Sequence, residues 1–195
     1  MKFKLNGAEK AYAGPAGTSL LRWLRDEEGI ISPKDGCSPQ AACGCCTVEL
    51  GGKAVLSCVT SMSQVSGKEV VTTEGMGKPA QDAFAEAFAR HGGAQCGFCI
   101  PGIVMRAWNL LKRTPEPSRA DIESGLNQHL CRCTGYKKII DSILEAGRTL
   151  RTGKAEVLPH DSGKVGTRLP KHDIKSAVLG LRPDVADMKV PGMLH

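Results

Sequence analysis

Nine cysteines stand out in the 195-residue chain, and eight of them fall into two quartets. The first quartet, Cys37, Cys43, Cys46 and Cys58, has the pattern C-x5-C-x2-C-x11-C. Plant-type iron–sulfur proteins use C-x4-C-x2-C with a distant fourth cysteine, so this set departs by one residue in its first gap. Three thiolates on one glycine-containing loop can surround a small cluster while the fourth arrives from a neighbouring hairpin. Gly36 and Gly44 let the backbone come close and aim N–H groups at sulfur, and such bonds help to set a reduction potential. The second quartet, Cys96, Cys99, Cys131 and Cys133, combines Cys-Gly-Phe-Cys with Cys-Arg-Cys. The first of these pairs puts two thiolates a turn apart at the mouth of a helix that Pro101 can start. The second cannot converge on a helix face, because positions i and i+2 diverge there. It can converge in the turn before a helix starting at Tyr136. Both pairs then sit at helix N-termini, where free N–H groups and the helix dipole favour an anionic centre.

Two four-thiolate iron–sulfur sites are the expected chemistry. Zinc also takes four thiolates and is the alternative for each quartet, although the C-x-C pair and the unequal gaps fit it less well. The odd number of cysteines, in a chain whose first residues carry no export signal, argues against a disulfide framework. Cys45 lies between Cys43 and Cys46, and only one of the two inner positions can face a metal. It reads as a small non-ligating filler, with a swapped ligand or a redox-sensitive thiol as the other readings.

The elements that must position these residues divide the chain in three. Residues 1–76 are expected to be strand-rich. Lys2–Leu5 alternates and meets the hairpin turn Asn6-Gly7, with Lys10–Ala13 returning. Thr18 and Ser19 can cap a helix built on Leu20, Leu21 and Leu24 and ended by Gly29. Thr47–Leu50, Gly51-Gly52 and Lys53–Leu56 read as a second hairpin, and Lys68–Thr72 as a further strand. Residues 77–150 read as four helices with short connections, a small bundle. They run over Gln81–Arg90, from Pro101 to about Lys112, over Arg119–Asn127 behind a Ser118 cap, and from Tyr136 to Leu150. Residues 151–195 lose periodicity and carry glycines and prolines throughout, which predicts an extended arm that orders by wrapping a partner. The fold class is therefore α+β.

Hydrophobic residues make up 41% of the chain and charged residues 24%, a globular composition, while aromatics are only 4%. The core must be built from Ala, Val, Leu and Ile. No apolar run approaches the length that spans a bilayer, and the expectation is a cytoplasmic protein, with export alongside a partner left open. The net charge of +6 is shared evenly: 18 Lys/Arg face 15 Asp/Glu in residues 1–150, and eight face five in 151–195. No basic block with interleaved aromatics is present, so nucleic-acid binding is not expected. No glycine-rich dinucleotide fingerprint follows a strand, and this chain is not expected to hold FAD or NAD itself. His91 and His129 are expected at helix ends in surface or capping roles, and His160, His172 and His195 have no partner cluster. Trp23 and Trp108 read as core residues, Asp26-Glu27-Glu28 as a solvated helix end, and Arg132 as a loop anchor or a charge that tunes a cluster.

Two longer stretches carry a resemblance. Gln95-Cys96-Gly97-Phe98-Cys99-Ile100-Pro101-Gly102 and Leu130-Cys131-Arg132-Cys133-Thr134-Gly135-Tyr136 resemble the iron–sulfur part of the xanthine dehydrogenase/aldehyde oxidoreductase family of molybdenum hydroxylases. Gly36-Cys37 with Cys43-Gly44-Cys45-Cys46-Thr47-Val48 is similar to that family's N-terminal motif. The resemblance implies a plant-type ferredoxin-like (β-grasp) domain followed by a four-helix bundle, each holding one [2Fe–2S] cluster. It also implies a large partner subunit carrying a molybdopterin–molybdenum centre, with electrons leaving to FAD in another subunit or to an external acceptor. On it, Cys96, Cys99, Cys131 and Cys133 hold the cluster nearer molybdenum, and Cys37, Cys43, Cys46 and Cys58 the outer one. Gln95 and Cys133 are placed against the pterin. The substrate class it implies is an aldehyde or an N-heterocycle. Val165–Arg168 through Pro191–His195 resembles the connector to the family's molybdenum-binding chain, which implies an arm packed on a separate catalytic subunit. Two departures stand out: the Ser38–Ala42 gap is one residue longer and lacks the family's glycine, and Cys45 stands where the family has alanine. A free-standing two-cluster ferredoxin and a zinc-stabilised interaction module are the rival readings.

Overall fold

A computed structural model of the protein describes residues 1–154, 165–167 and 169–193. Expectations that fall on 155–164, Arg168, Leu194 and His195, His160 among them, lie outside the described residues. The fold is α+β: a five-stranded sheet precedes a set of helices.

β1 (Lys2–Leu5) and β2 (Ala8–Ala11) form a hairpin with Leu5 opposite Ala8. Asn6 and Gly7 both have positive φ, as a two-residue turn of matching twist demands. That tight turn starts the return strand at Ala8, two residues ahead of the expected Lys10. α1 (Leu20–Asp26) begins where the Ser19 hydroxyl accepts the Arg22 N–H at 3.2 Å. It stops short of Gly29, which lies past the helix end in the left-handed region. β3 (Thr47–Leu50) and β4 (Lys53–Leu56) pair across Gly51-Gly52, and β5 (Glu69–Val71) completes the sheet. The strand order is β2-β1-β5-β3-β4, with β1 and β5 parallel. Phe3, Leu20, Trp23, Leu24, Val48, Met62 and Val70 fill the core between α1 and the sheet. Trp23 meets Phe3 edge-on at 5.1 Å, the core role expected of it.

α2 (Lys78–His91) starts three residues earlier than Gln81 because Pro79 is tolerated in a first turn, and Gly92 closes it in the left-handed conformation. α3 (Ile100–Arg113), α4 (Arg119–Gly125) and α5 (Tyr136–Thr152) follow. Ser118 and Asp121 form a reciprocal cap on α4, which ends two residues before Asn127. α5 runs on to Gly153, through the boundary expected at Leu150. α2 packs along α5, α4 touches α3 and α5, and α3 lies on β3 and β4. One apolar core joins Cys43 and Cys45 of the first half to Phe84, Phe88, Ile103, Ile139 and Ile143 of the helices. No described helix is long and apolar enough to cross a membrane.

The expectation of an extended arm needs correction. Residues 174–179 form α6 (Ile174–Leu179), whose Ile174, Ala177, Val178 and Leu179 are buried against α2 and α3. A six-residue helix without a side-chain cap leaves too little periodicity to be read from sequence. Farther on, Val185–Asp187 forms a 3-10 turn. The described part of the arm thus folds back on its own chain.

Candidate metal centres

The first quartet lies on the loop between α1 and β3 and at the turn after β4. Gln40 donates its N–H to Cys37 Sγ at 3.3 Å. Burial opposes ionisation of Cys37, but the amides of Ala42 and Gln40 and the neighbouring Cys43 together hold its thiol below the usual range. Burial raises the Cys43 thiol instead. Cys46, just ahead of β3, is pushed up to about 12 by burial, with the Cys58 thiol as its neighbour. Ser57 fixes that second pair by donating both N–H (3.3 Å) and hydroxyl (2.7 Å) to the Cys46 carbonyl. The four thiols therefore stand as two pairs, Cys37 with Cys43 and Cys46 with Cys58. At Gly36 a side chain would start 3.1 Å from Cys43 Sγ and 3.2 Å from Cys45 Sγ, so the close approach expected of this glycine is used.

The second quartet is also two pairs. Cys99 caps α3 and neighbours Cys131, and burial raises its thiol first, with Cys131 and then Cys45 adding to the effect. Cys133 neighbours Cys96, whose N–H and thiol, with the Lys171 charge, hold the Cys133 thiol below its usual range. The Tyr136 hydroxyl accepts the Cys131 N–H at 2.8 Å and donates to the His129 carbonyl at 2.9 Å, stapling the Cys-Arg-Cys turn to the start of α5. Gln95 Nε2 donates to the Cys133 carbonyl at 3.1 Å, so these two exposed-edge residues are brought together. Arg132 is exposed. Among the described residues, three of the five non-glycine residues with positive φ, Ser38, Ala41 and Thr134, lie in the cysteine loops. That conformation costs about 1–2 kcal/mol per residue, and it persists where surroundings or a bound group over-determine it. Among the described residues no three His, Cys, Asp or Glu side chains close on a single-ion site.

The chemistry of the donor set fits iron–sulfur clusters. Each set brings four thiols together, the number that an iron–sulfur cluster takes, with N–H groups aimed at Cys37 and Cys133. Tyr136→Phe removes the acceptor of a part-buried N–H beside Cys131. The expected cost is about 1–3 kcal/mol, measured by denaturation, with a matching drop in iron content of the helical half.

The two sets touch each other. Leu130 donates its N–H to the Cys43 carbonyl at 3.0 Å. A side chain at Gly102, in the first turn of α3, would start 2.5 Å from the Gly44 carbonyl and 2.8 Å from that of Cys45. Gly44, at φ 73°, is pressed against the Gln128 carbonyl and the His129 ring. Gly44→Ala combines the left-handed penalty with a backbone collision. It is expected to cost about 2–4 kcal/mol, read as a lowered unfolding midpoint. Cys45 is buried at this junction, its thiol raised by burial and by the Cys43 thiol, so it adjoins the Cys37–Cys43 pair.

His129 corrects an expectation. It was placed at a helix end in a surface or capping role, yet it is only 4% exposed and wedged between the two loops. Its Nε2 lies 3.2 Å from Thr47 Oγ1, and burial, then the Arg106 charge, lower its pKa to about 4. The helical pattern places His129 past α4 but says nothing of the β3 residue that covers it. Sequence reasoning also missed the arm's contacts with the second cysteine loop and with the turn after β5. Thr73 donates to the Leu179 carbonyl at 2.6 Å, Lys171 donates to the Gln95 carbonyl, and Arg182 Nη2 donates to the Cys96 carbonyl at 2.5 Å. Partners 76 to 106 residues apart leave no local signal.

Comparison with known proteins agrees with this geometry. Residues 72–144, which include the second quartet, match the family described as a [2Fe-2S] binding domain. The chain is 37% identical to the aldehyde oxidoreductase of Megalodesulfovibrio gigas over 98% of its own length, and spans 22% of that protein. It is 37% identical to the nicotine 6-hydroxylase small subunit of Paenarthrobacter nicotinovorans, with 73% of this chain and 86% of that one aligned. The solved aldehyde oxidoreductase from Desulfovibrio gigas superposes with a TM-score of 0.87 at 34% identity, over 96% of this chain and 22% of that one. Paired thiols on two interlocked loops, and small subunits matched over most of their length, lead to one assignment. The chain belongs to the xanthine dehydrogenase/aldehyde oxidoreductase family of molybdenum hydroxylases, as an iron–sulfur electron-transfer component of an oxidoreductase.

Proposed function

We propose that the chain carries electrons singly through two [2Fe–2S] clusters arranged in series. Cys96, Cys99, Cys131 and Cys133 hold the one in the helical half, and Cys37, Cys43, Cys46 and Cys58 the one in the strand-rich half. When bound, such a cluster supplies a one-electron couple, near about −400 mV in plant-type ferredoxins. The division is a ferredoxin-like β-grasp domain over 1–76, a four-helix bundle over 77–150, and a connector over 151–195.

One observation carries the reading. The Leu130 N–H to Cys43 carbonyl bond joins a ligand of one site to the neighbour of a ligand of the other. From Cys43 Sγ the route runs through its own backbone, across a single 3.0 Å hydrogen bond, and along Leu130 to Cys131. The glycines at 44 and 102 permit that approach, and the apolar core shared by both halves keeps water out. Gln95 and Cys133 meet at the exposed edge of the helical site. This supports their role against a molybdopterin–molybdenum cofactor held by a large catalytic partner. The outer site then faces FAD in another subunit or an external acceptor. Nicotine and aldehydes appear in the names of the relatives, which supports an aldehyde or N-heterocycle as the substrate oxidised by that partner.

The rival readings part on simple observations. Two clusters make the purified protein red-brown, whereas a zinc module is colourless. A free-standing ferredoxin purifies alone, whereas the proposed component purifies with a much larger molybdenum-containing chain. A colourless protein without iron would overturn the proposal.

A further inference from the structure

Lys34, three residues before Cys37, is buried with its side chain 2% exposed. Its Nζ lies 2.5 Å from Asp187 Oδ2 and 3.1 Å from Asp184 Oδ2. Arg25 reaches the other Asp187 oxygen at 2.6 Å and donates to the Pro33 carbonyl at 3.0 Å. The Asp187 side chain is 1% exposed. Two cations and two carboxylates thus meet where the arm crosses the base of the first cysteine loop. Removing such charges from water costs several kcal/mol per ion before attraction returns it, so stability alone explains the set poorly.

Its position explains more. Lys34 donates its N–H to the Cys45 carbonyl at 3.1 Å. Lys34, Asp187 and Phe98 line one cavity of about 280 Å³. The Phe98 ring lies beside Gly36, which in turn abuts Cys43 Sγ. Two residues before Asp184, Arg182 donates to the Cys96 carbonyl at 2.5 Å. The segment 182–187 therefore sets a cation against the second quartet and two carboxylates opposite the lysine beside the first.

We propose that Arg182, Asp184 and Asp187 of the arm are positioning residues that set the two cluster potentials. Asp184 and Asp187 cancel Lys34 and Arg25 beside the outer cluster, and Arg182, 4.0 Å from Asp184, raises the potential of the inner one. The inference rests on the two-cluster reading above. Reduction adds negative charge to a cluster, so an uncancelled cation nearby favours it and an uncancelled carboxylate opposes it.

The test is an EPR-monitored redox titration of the intact complex. D187N is expected to raise the outer cluster's reduction equilibrium constant about tenfold, or about 59 mV for one electron. K34M is expected to lower it by a similar factor, and the charge-balanced K34M/D187N double variant to return it to the wild-type value. R182M should lower the inner cluster's potential, and lower it more than the outer cluster's, because Arg182 also lies 4.0 Å from Asp184. Unmoved potentials in loaded variants, or shifts of one sign in both single variants, would overturn the proposal. If D187N loses the outer cluster, the double variant decides: retention at the wild-type potential supports the proposal, and loss overturns it. A wild-type protein without two signals would instead refute the underlying two-cluster reading.

Discussion

Cys131→Ser in the assembled complex is expected to remove the cluster of the helical half and stop turnover, while the strand-rich half keeps its own cluster. Cys131 is buried, its N–H is fixed by Tyr136, and its thiol neighbours that of Cys99. The thiolate is the metal ligand, and a serine hydroxyl, protonated at neutral pH when free, is a far weaker ligand for the iron. Iron content should fall by half, and one of two EPR signals should vanish. Cys133→Ser should behave alike, because Cys133 completes the other pair with Cys96. The strand-rich half has its own core around Phe3, Trp23 and Val70, so its folding should survive. Full occupancy of both clusters in either variant would contradict the assignment.

Two neighbouring cysteines of the first loop, one in the quartet and one not, should respond in opposite ways. Cys46→Ser is expected to lose the outer cluster and to cut electron delivery to any acceptor that side serves. Cys46 is fixed by its carbonyl bonds to Ser57 and stands against Cys58. Cys45→Ala, one residue away, should keep both clusters at a cost of about 1 kcal/mol of packing. Cys45 adjoins Cys43, but it is buried in the apolar core at the junction of the two loops, where burial raises its thiol and packing is its role. Iron stoichiometry with EPR separates the cases. Loss of a cluster in Cys45→Ala with retention in Cys46→Ser would reverse the ligand assignment.

Much of this was legible in the sequence because the signals were local. Asn6-Gly7 and Gly51-Gly52 announce their hairpins, Ser19 and Ser118 announce helix starts, and Cys99 caps α3 while Cys133 lies two residues before the Gly135 cap of α5. The closeness at Gly36 and Gly44 was also readable, since a glycine beside a cysteine implies backbone approach. What escaped depends on distant partners. His129 is buried because Thr47 and Gly44, more than 80 residues earlier, cover it. Lys34 reads as an ordinary loop lysine until Asp187 arrives from the far end of the chain. α6 has too few residues for a period, and its burial against α2 and α3 gives it the stability its propensity does not.

The central claim is that two clusters operate in one chain, and one measurement addresses it most directly. Iron and acid-labile sulfide are assayed in the purified complex, and the dithionite-reduced sample is examined by low-temperature EPR. Equal iron and sulfide with two distinct signals, one lost in Cys131→Ser and the other in Cys46→Ser, is the expected result. Zinc in place of iron, or a single signal that both variants abolish, would contradict the account.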